Sequence, residues 1–207
     1  MSTIFVIFAI QPTQKIMKRI IIAAIATLMA VASYAQGHMK FKGHDIDGTP
    51  AELAQKLVAD GFKITQKYST GEVELQGVFS GYEALLLISP NVNGIAEKVM
   101  VVYDVNNYPW KSLKARFQTL EDNLTKKYGE PVTKIKQMDD VLYYDGSSRE
   151  IQGFRLGKND YTCAWSTDQG VIGLMIMATS TSPTMLSIWY QDLANTQATN
   201  DAAYDDL

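Results

Sequence analysis

Few side chains in this chain are equipped for covalent or metal chemistry. Among 207 residues there are 2 histidines, His38 and His44, and 1 cysteine, Cys163. A serine or cysteine nucleophile needs a base beside it, and both histidines sit close together near the N-terminus. No Gly-x-Ser-x-Gly elbow occurs, and no glycine-rich phosphate loop precedes a helix. The run His44-Asp45-Ile46-Asp47-Gly48 has the residue types of a calcium or zinc site. A calcium loop, however, requires a glutamate at its twelfth position, and counting from Asp45 that position is Lys56. The two aspartates fit better just ahead of a helix, near its positive end, and His38 reads as part of a loose terminus. Asp139-Asp140 form an acidic pair of the kind glycosidases use, but they stand in what reads as a solvated loop. The residues therefore point to no catalytic group, no metal and no cofactor, with an enzyme as the minority reading.

What remains is chemistry of binding. In the run from Val171 to Ala178 both faces of a strand are apolar, with Ile172, Leu174 and Ile176 on one and Val171, Met175 and Met177 on the other. If Leu186, Ile188 and Tyr190 face the helices, Trp189 points the opposite way. Tyr161, Cys163 and Trp165 share one face of their strand, and the sequence does not say which. An antiparallel sheet can leave one face to water. Trp189, Met175, Met177, Trp165 and Tyr161 are then the candidate binding residues, since aromatic residues and methionine are enriched at interfaces. The competing expectation is that this face packs against an inserted Val141-Leu142-Tyr143-Tyr144 strand, the C-terminal tail or a second copy of the chain.

The elements that position these residues follow from periodicity. Thr49-Pro50-Ala51-Glu52 is a capping box with proline at the first helical position. Leu53, Leu57 and Val58 form an apolar stripe, and Asp60-Gly61 ends the helix. Strand patterns follow over Phe62 to Tyr68, Glu72 to Ser80, Tyr82 to Ser89 and Ala96 to Asp104. After Pro109 a second helix, Trp110 to Tyr128, carries Leu113, Phe117, Leu120 and Leu124 on one face. Further strand patterns cover Val132 to Gln137, Arg149 to Leu156, Tyr161 to Ser166, Val171 to Ala178 and Met185 to Asp192.

Two local matches suggest that residues 36–108 and 109–194 are tandem copies. Glu74-Leu75-Gln76-Gly77 with Gly81 parallels Glu150-Ile151-Gln152-Gly153 with Gly157, and Val99, Val101 and Tyr103 parallel Leu186, Ile188 and Tyr190. The expected fold is α+β: two helix-plus-antiparallel-meander repeats forming a curved sheet with helices on one face. Residues 195–207 are polar, small and acidic and read as a disordered tail.

This order of elements, across roughly Met39 to Asp192, resembles the tandem fold of the β-lactamase inhibitor proteins and the related small outer-membrane-assembly lipoprotein domains. The segments His38-Met39-Lys40-Phe41-Lys42-Gly43, Ile46-Asp47-Gly48-Thr49 and Leu124-Thr125-Lys126-Lys127-Tyr128-Gly129-Glu130-Pro131 resemble a group of uncharacterised exported proteins of Gram-negative bacteria. That resemblance implies export but no activity, and no residue-level match carries an inhibitory role across.

Export is also expected from the N-terminus. Lys18-Arg19 precede 13 residues, Ile20 to Ala32, with no charge, and Ser33-Tyr34-Ala35 places small residues before a cut at Gln36. A membrane span needs roughly 20 apolar residues, so a cleaved signal peptide over residues 1–35 is the expectation, with translation starting at Met17. No lipobox cysteine lies near the cut, which implies a periplasmic or secreted protein without a lipid anchor. Removing Lys15, Lys18 and Arg19 from the chain's 19 basic residues leaves 16 against 22 acidic, a formal charge of −6. Such a chain is a poor nucleic-acid binder, because phosphate contacts demand clustered Lys and Arg. One cysteine permits no internal disulfide, and its strand setting predicts that Cys163 is buried. The reading that results is an exported, non-catalytic binding module with a protein partner. Its alternatives are an envelope hydrolase working through carboxylates, or a small-ligand carrier.

Overall fold

The computed structural model describes residues 37–105, 108–139, 141–178 and 184–196. The expected signal peptide with its start at Met17, Asp140 of the acidic pair, and tail residues 197–207 lie outside the described residues. A short hairpin of β1 (Lys40–Phe41) and β2 (His44–Asp45) leads into α1 (Pro50–Ala59). Strands β3 (Lys63–Lys67), β4 (Val73–Phe79), β5 (Tyr82–Pro90) and β6 (Ala96–Asp104) follow. Then come α2 (Trp110–Tyr128), β7 (Thr133–Gln137), α3 (Glu150–Arg155), β8 (Asp160–Thr167), β9 (Gly170–Met177) and β10 (Met185–Asp192). The eight strands β3 to β10 make one open antiparallel sheet in the order β3-β4-β5-β6-β10-β9-β8-β7. The fold is therefore α+β, as expected.

The strand order follows from what each connection can span. Short turns join neighbours within β3 to β6 and join β8 to β9. Helix α2, with 19 residues, is about 28 Å long, enough to carry the chain from β6 in the middle of the sheet to β7 at its edge, four strands at about 4.8 Å each. From β7 the chain works back inward until β10 lies against β6. There Leu186 faces Tyr103, Ile188 faces Val101 and Tyr190 faces Val99.

Helix α1 starts as its residues require. Thr49 Oγ1 accepts from the Glu52 amide (3.2 Å), while the Glu52 carboxylate accepts from the Thr49 amide (2.8 Å). Helix α2 ends at Gly129, whose φ of 85° suits a residue without Cβ, and whose amide donates to the Thr125 carbonyl.

Helices α1, α2 and α3 pack on the same face of the sheet. Leu53 and Leu57 of α1 cover β4 and β5, and Leu113, Phe117 and Leu120 of α2 cover β8 and β9. Opposite them, Leu75, Leu86, Val101, Ile188, Leu174 and Trp165 are buried in one continuous core.

Three expectations need correction. The strand expected over Arg149 to Leu156 is instead helix α3. Its Phe154 packs on Trp110 (5.3 Å between ring centroids) and Tyr161 (5.9 Å), and the Asn159 side chain donates to the carbonyls of Glu150 and Tyr143. The match between Glu74-Leu75-Gln76-Gly77 and Glu150-Ile151-Gln152-Gly153 thus pairs a strand with a helix. Residues 141–144 form a turn and a bend rather than a strand. Finally, Asn195 and Thr196 are buried and do not belong to a loose tail. The Asn195 side chain donates to the carbonyls of Ile46 and Ala96, each at 3.0 Å.

Candidate functional site

The face of the sheet away from α1, α2 and α3 is apolar across its central strands. None of the helices or hairpins among the described residues packs on it, and the register gives its residues in rows. Leu87, Met100, Trp189, Gly173 and Ala164 lie side by side across β5, β6, β10, β9 and β8. Leu85, Val102, Ser187, Met175 and Thr162 form the next row on the same strands. Leu85, Leu87, Met100, Val102, Met175, Met177 and Trp189 are all half-buried, each shielded by its neighbours yet still reaching solvent. The rows cross five strands, roughly 19 Å.

Trp189 is seated by the backbone beneath it. Its indole lies over Gly173, where an added Cβ would collide with Cε2, Cζ2 and Nε1. Beyond Gly173 stands Ala164, so small residues continue the lane into which the ring is laid. The glycine inside an apolar strand is explained by that close approach. In the adjoining row the Ser187 hydroxyl is turned to the Met177 sulfur, 3.3 Å away, which leaves the surface apolar there.

Of the five residues singled out from the sequence, Trp189, Met175 and Met177 share this face. Trp165 and Tyr161 do not. They alternate with Thr162 and Ala164 along β8 and point into the core, where Trp165 Nε1 donates to the Gly129 carbonyl (2.9 Å). The Tyr161 ring meets Trp110 (5.1 Å) and Phe117 (5.4 Å). The sequence reading missed Leu85, Leu87, Met100 and Val102. The signal was present, since β5 and β6 are apolar at both parities, just as β9 is. The inserted segment does not cover this face either. It folds onto the helix side, where Asp145 accepts from Trp110 Nε1 (2.6 Å) and from Lys114.

Carboxylates stand around the apolar rows. Asp160 precedes Thr162 on the same face of β8, and burial pushes its carboxyl pKa upward despite a hydrogen bond from the Thr162 hydroxyl (2.7 Å). Glu83 is exposed at the start of β5, beside Val78, which is also exposed. Asp104 pairs with Met185 at the same end. Glu74, further out, accepts from Thr65 Oγ1 (2.6 Å) and Tyr68 Oη (3.0 Å).

The groups that might have done covalent chemistry are occupied structurally. Cys163 is fully buried, and burial pushes its thiol up to about 12, so it holds its proton at neutral pH and is a poor nucleophile. His38 is not loose: its Nδ1 lies 3.3 Å from buried Asp192 and its Nε2 lies 3.6 Å from Asp47. His44 pairs with Asp60 at 3.0 Å. Asp139 accepts from the amides of Leu142 and Val141, which hold its carboxyl below the usual range, and so it shapes a turn. Among the described residues no three His, Cys, Asp or Glu side chains converge to hold a metal, and no helix is long and apolar enough to cross a membrane. No family model, no curated protein and no solved structure matches this chain.

Proposed function

We propose that this chain is an exported, non-catalytic binding module that receives a partner protein on the uncovered face of its sheet, in the periplasm or at the cell surface. The observation that carries this reading is the double row of apolar side chains around Trp189. An aromatic anchor on a rigid base, ringed by methionine and leucine, has the composition of an interface centre. The face is built on strands, and its anchor is held by packing against Gly173, so little ordering remains to be done on binding.

Export rests on the charged, apolar and small-residue segments ahead of Gln36 and on the resemblance to exported proteins; N-terminal sequencing of the mature chain tests it directly. We also read the two helix-plus-meander halves as tandem copies of one unit. Their support is the shared order of elements and the pairing of β6 with β10 through Val99, Val101, Tyr103 and their counterparts. The test of function is photo-cross-linking from position 175 in the native envelope. Trp189→Ala and Met100→Ala, each carrying the same photo-probe and checked for folding, are expected to lose the partners that the otherwise unaltered probe-bearing chain captures. Recovery of the same partners by both variants would place the binding surface elsewhere.

A further inference from the structure

We propose that the segment received on this face is cationic as well as apolar: an amphipathic stretch of a partner protein whose arginine or lysine side chains reach Asp160 and Glu83 and stack on Trp189. This rests on the reading of the face as a docking surface and specifies what docks there.

Charge is divided unevenly between the two sides of the sheet. All 16 lysines and arginines that follow Ala35 lie among the described residues. Only two of them, Lys63 and Lys98, take positions on the uncovered face, and Lys63 is on the edge strand β3. Four carboxylates occupy the same face: Glu74, Glu83, Asp104 and Asp160. Among the described residues no cationic group pairs with Asp160 or Glu83. The remaining stretches after Gln36 carry no lysine or arginine that might do so. Asp160 is half-buried with a single hydroxyl as its partner, a situation that an incoming cation relieves.

The other two occupants are disfavoured by the same bookkeeping of sign. Residues 197–207 contain Asp201, Asp205 and Asp206 and no basic residue, so their charge offers this rim no complement. A second copy laid face to face would bring like charges together, which opposes association. A cationic segment meets neither obstacle. The Trp189 ring adds attraction, because an indole face is the best aromatic partner for a guanidinium or ammonium.

The probes are two helical peptides of about 18 residues, long enough for five turns, with the same leucine face and either arginine or glutamate on the other. Titrated into the mature chain, the Leu/Arg peptide is expected to bind at least about tenfold more tightly than the Leu/Glu peptide, and to weaken as salt is raised. Trp110 and Trp165 are buried, so a blue shift in tryptophan emission reports Trp189. The pair Glu83→Gln and Asp160→Asn is expected to reduce Leu/Arg affinity several-fold, and Met100→Arg to abolish it, while Asp122→Asn on α2 changes nothing. If Met100→Arg fails to fold, the Glu83/Asp160 pair decides alone. Equal binding of both peptides, or no loss in the Glu83/Asp160 pair, overturns the proposal. So does a dimer by light scattering that Met100→Arg dissociates. If the peptides fail while cross-linking from position 175 still captures a Trp189-dependent partner, the charge assignment falls and the docking face stands. If both fail, the face itself is wrong.

Discussion

Replacing Gly173 with alanine puts a Cβ where the Trp189 indole now rests. The ring can swing away only by giving up its contact with β9. Gly173→Ala is therefore expected to cost about 1–3 kcal/mol and to red-shift tryptophan emission as the ring lifts into water, measurable by urea unfolding and fluorescence. Asp192 acts at the same scale but in the core's polar margin. Its buried carboxylate accepts from the Met39 amide (2.6 Å) and the Asn195 amide (2.8 Å), tying the start of the described chain to its end. Asp192→Ala strands both donors and is expected to cost about 2–4 kcal/mol, read by thermal unfolding. Asp160 carries a pH signature. Its folded pKa is raised, so the folded state holds the proton more tightly than the unfolded chain and is penalised once the group ionises. Stability from this residue is thus full at low pH and falls as pH climbs through the ordinary aspartate value near 3.8 toward the folded one. Asp160→Asn removes that penalty. The variant is expected to match the wild type in acid and to be more stable at pH 7, and an unchanged difference across pH would refute the assignment.

Among the elements, α2 and β7 are joined by a buried anion. Glu121, whose side chain is 3 % exposed, accepts from Lys134 at 2.8 Å and Lys136 at 2.5 Å. Burial alone would raise its pKa, but the hydrogen bonds from Lys134 and Lys136 outweigh that and the net shift is downward. A lowered carboxyl contributes stability above its unfolded value, near 4.5, that is lost as pH falls through the folded one. Glu121→Gln is expected to cost about 1–2 kcal/mol at pH 7, discounted for the exposure of Lys134, with the cost shrinking toward pH 4 in denaturant titrations. Most elements were legible from residue pattern alone. The capping box of α1 and the whole of α2, β6 and β10 follow from local signals strong enough to survive any context. Residues 150–155 were not, because six residues of mixed polarity satisfy a strand period as well as a helical one. What made them helical lies outside the segment: Trp110 and Tyr161 receive Phe154, and Asn159 holds the carbonyl of Glu150.

At the scale of the molecule, the two halves have no separate cores. β6 and β10 pair through seven residues in register at the centre of the sheet, and the buried side chains form one cluster across both halves. Urea unfolding followed by circular dichroism and by tryptophan emission is expected to give coincident single transitions. Residues 36–108 expressed alone expose β6 as an apolar edge, and are expected to aggregate or remain unfolded, as judged by light scattering.

The uncovered face shows where sequence information ended. The residues alone determined that β9 is apolar on both sides, that Trp189 opposes Leu186 and Ile188, and that the chain's two histidines both lie near its N-terminus. They also determined the chain's acidic balance, because charge is independent of conformation. Side-chain alternation states which residues share a face but not which face is covered. That is decided by where distant helices dock. Only the tertiary structure could therefore send Trp165 and Tyr161 into the core beneath α2, bring Leu87 and Met100 beside Trp189, and leave Asp160 and Glu83 at the rim of a surface that none of the described helices covers.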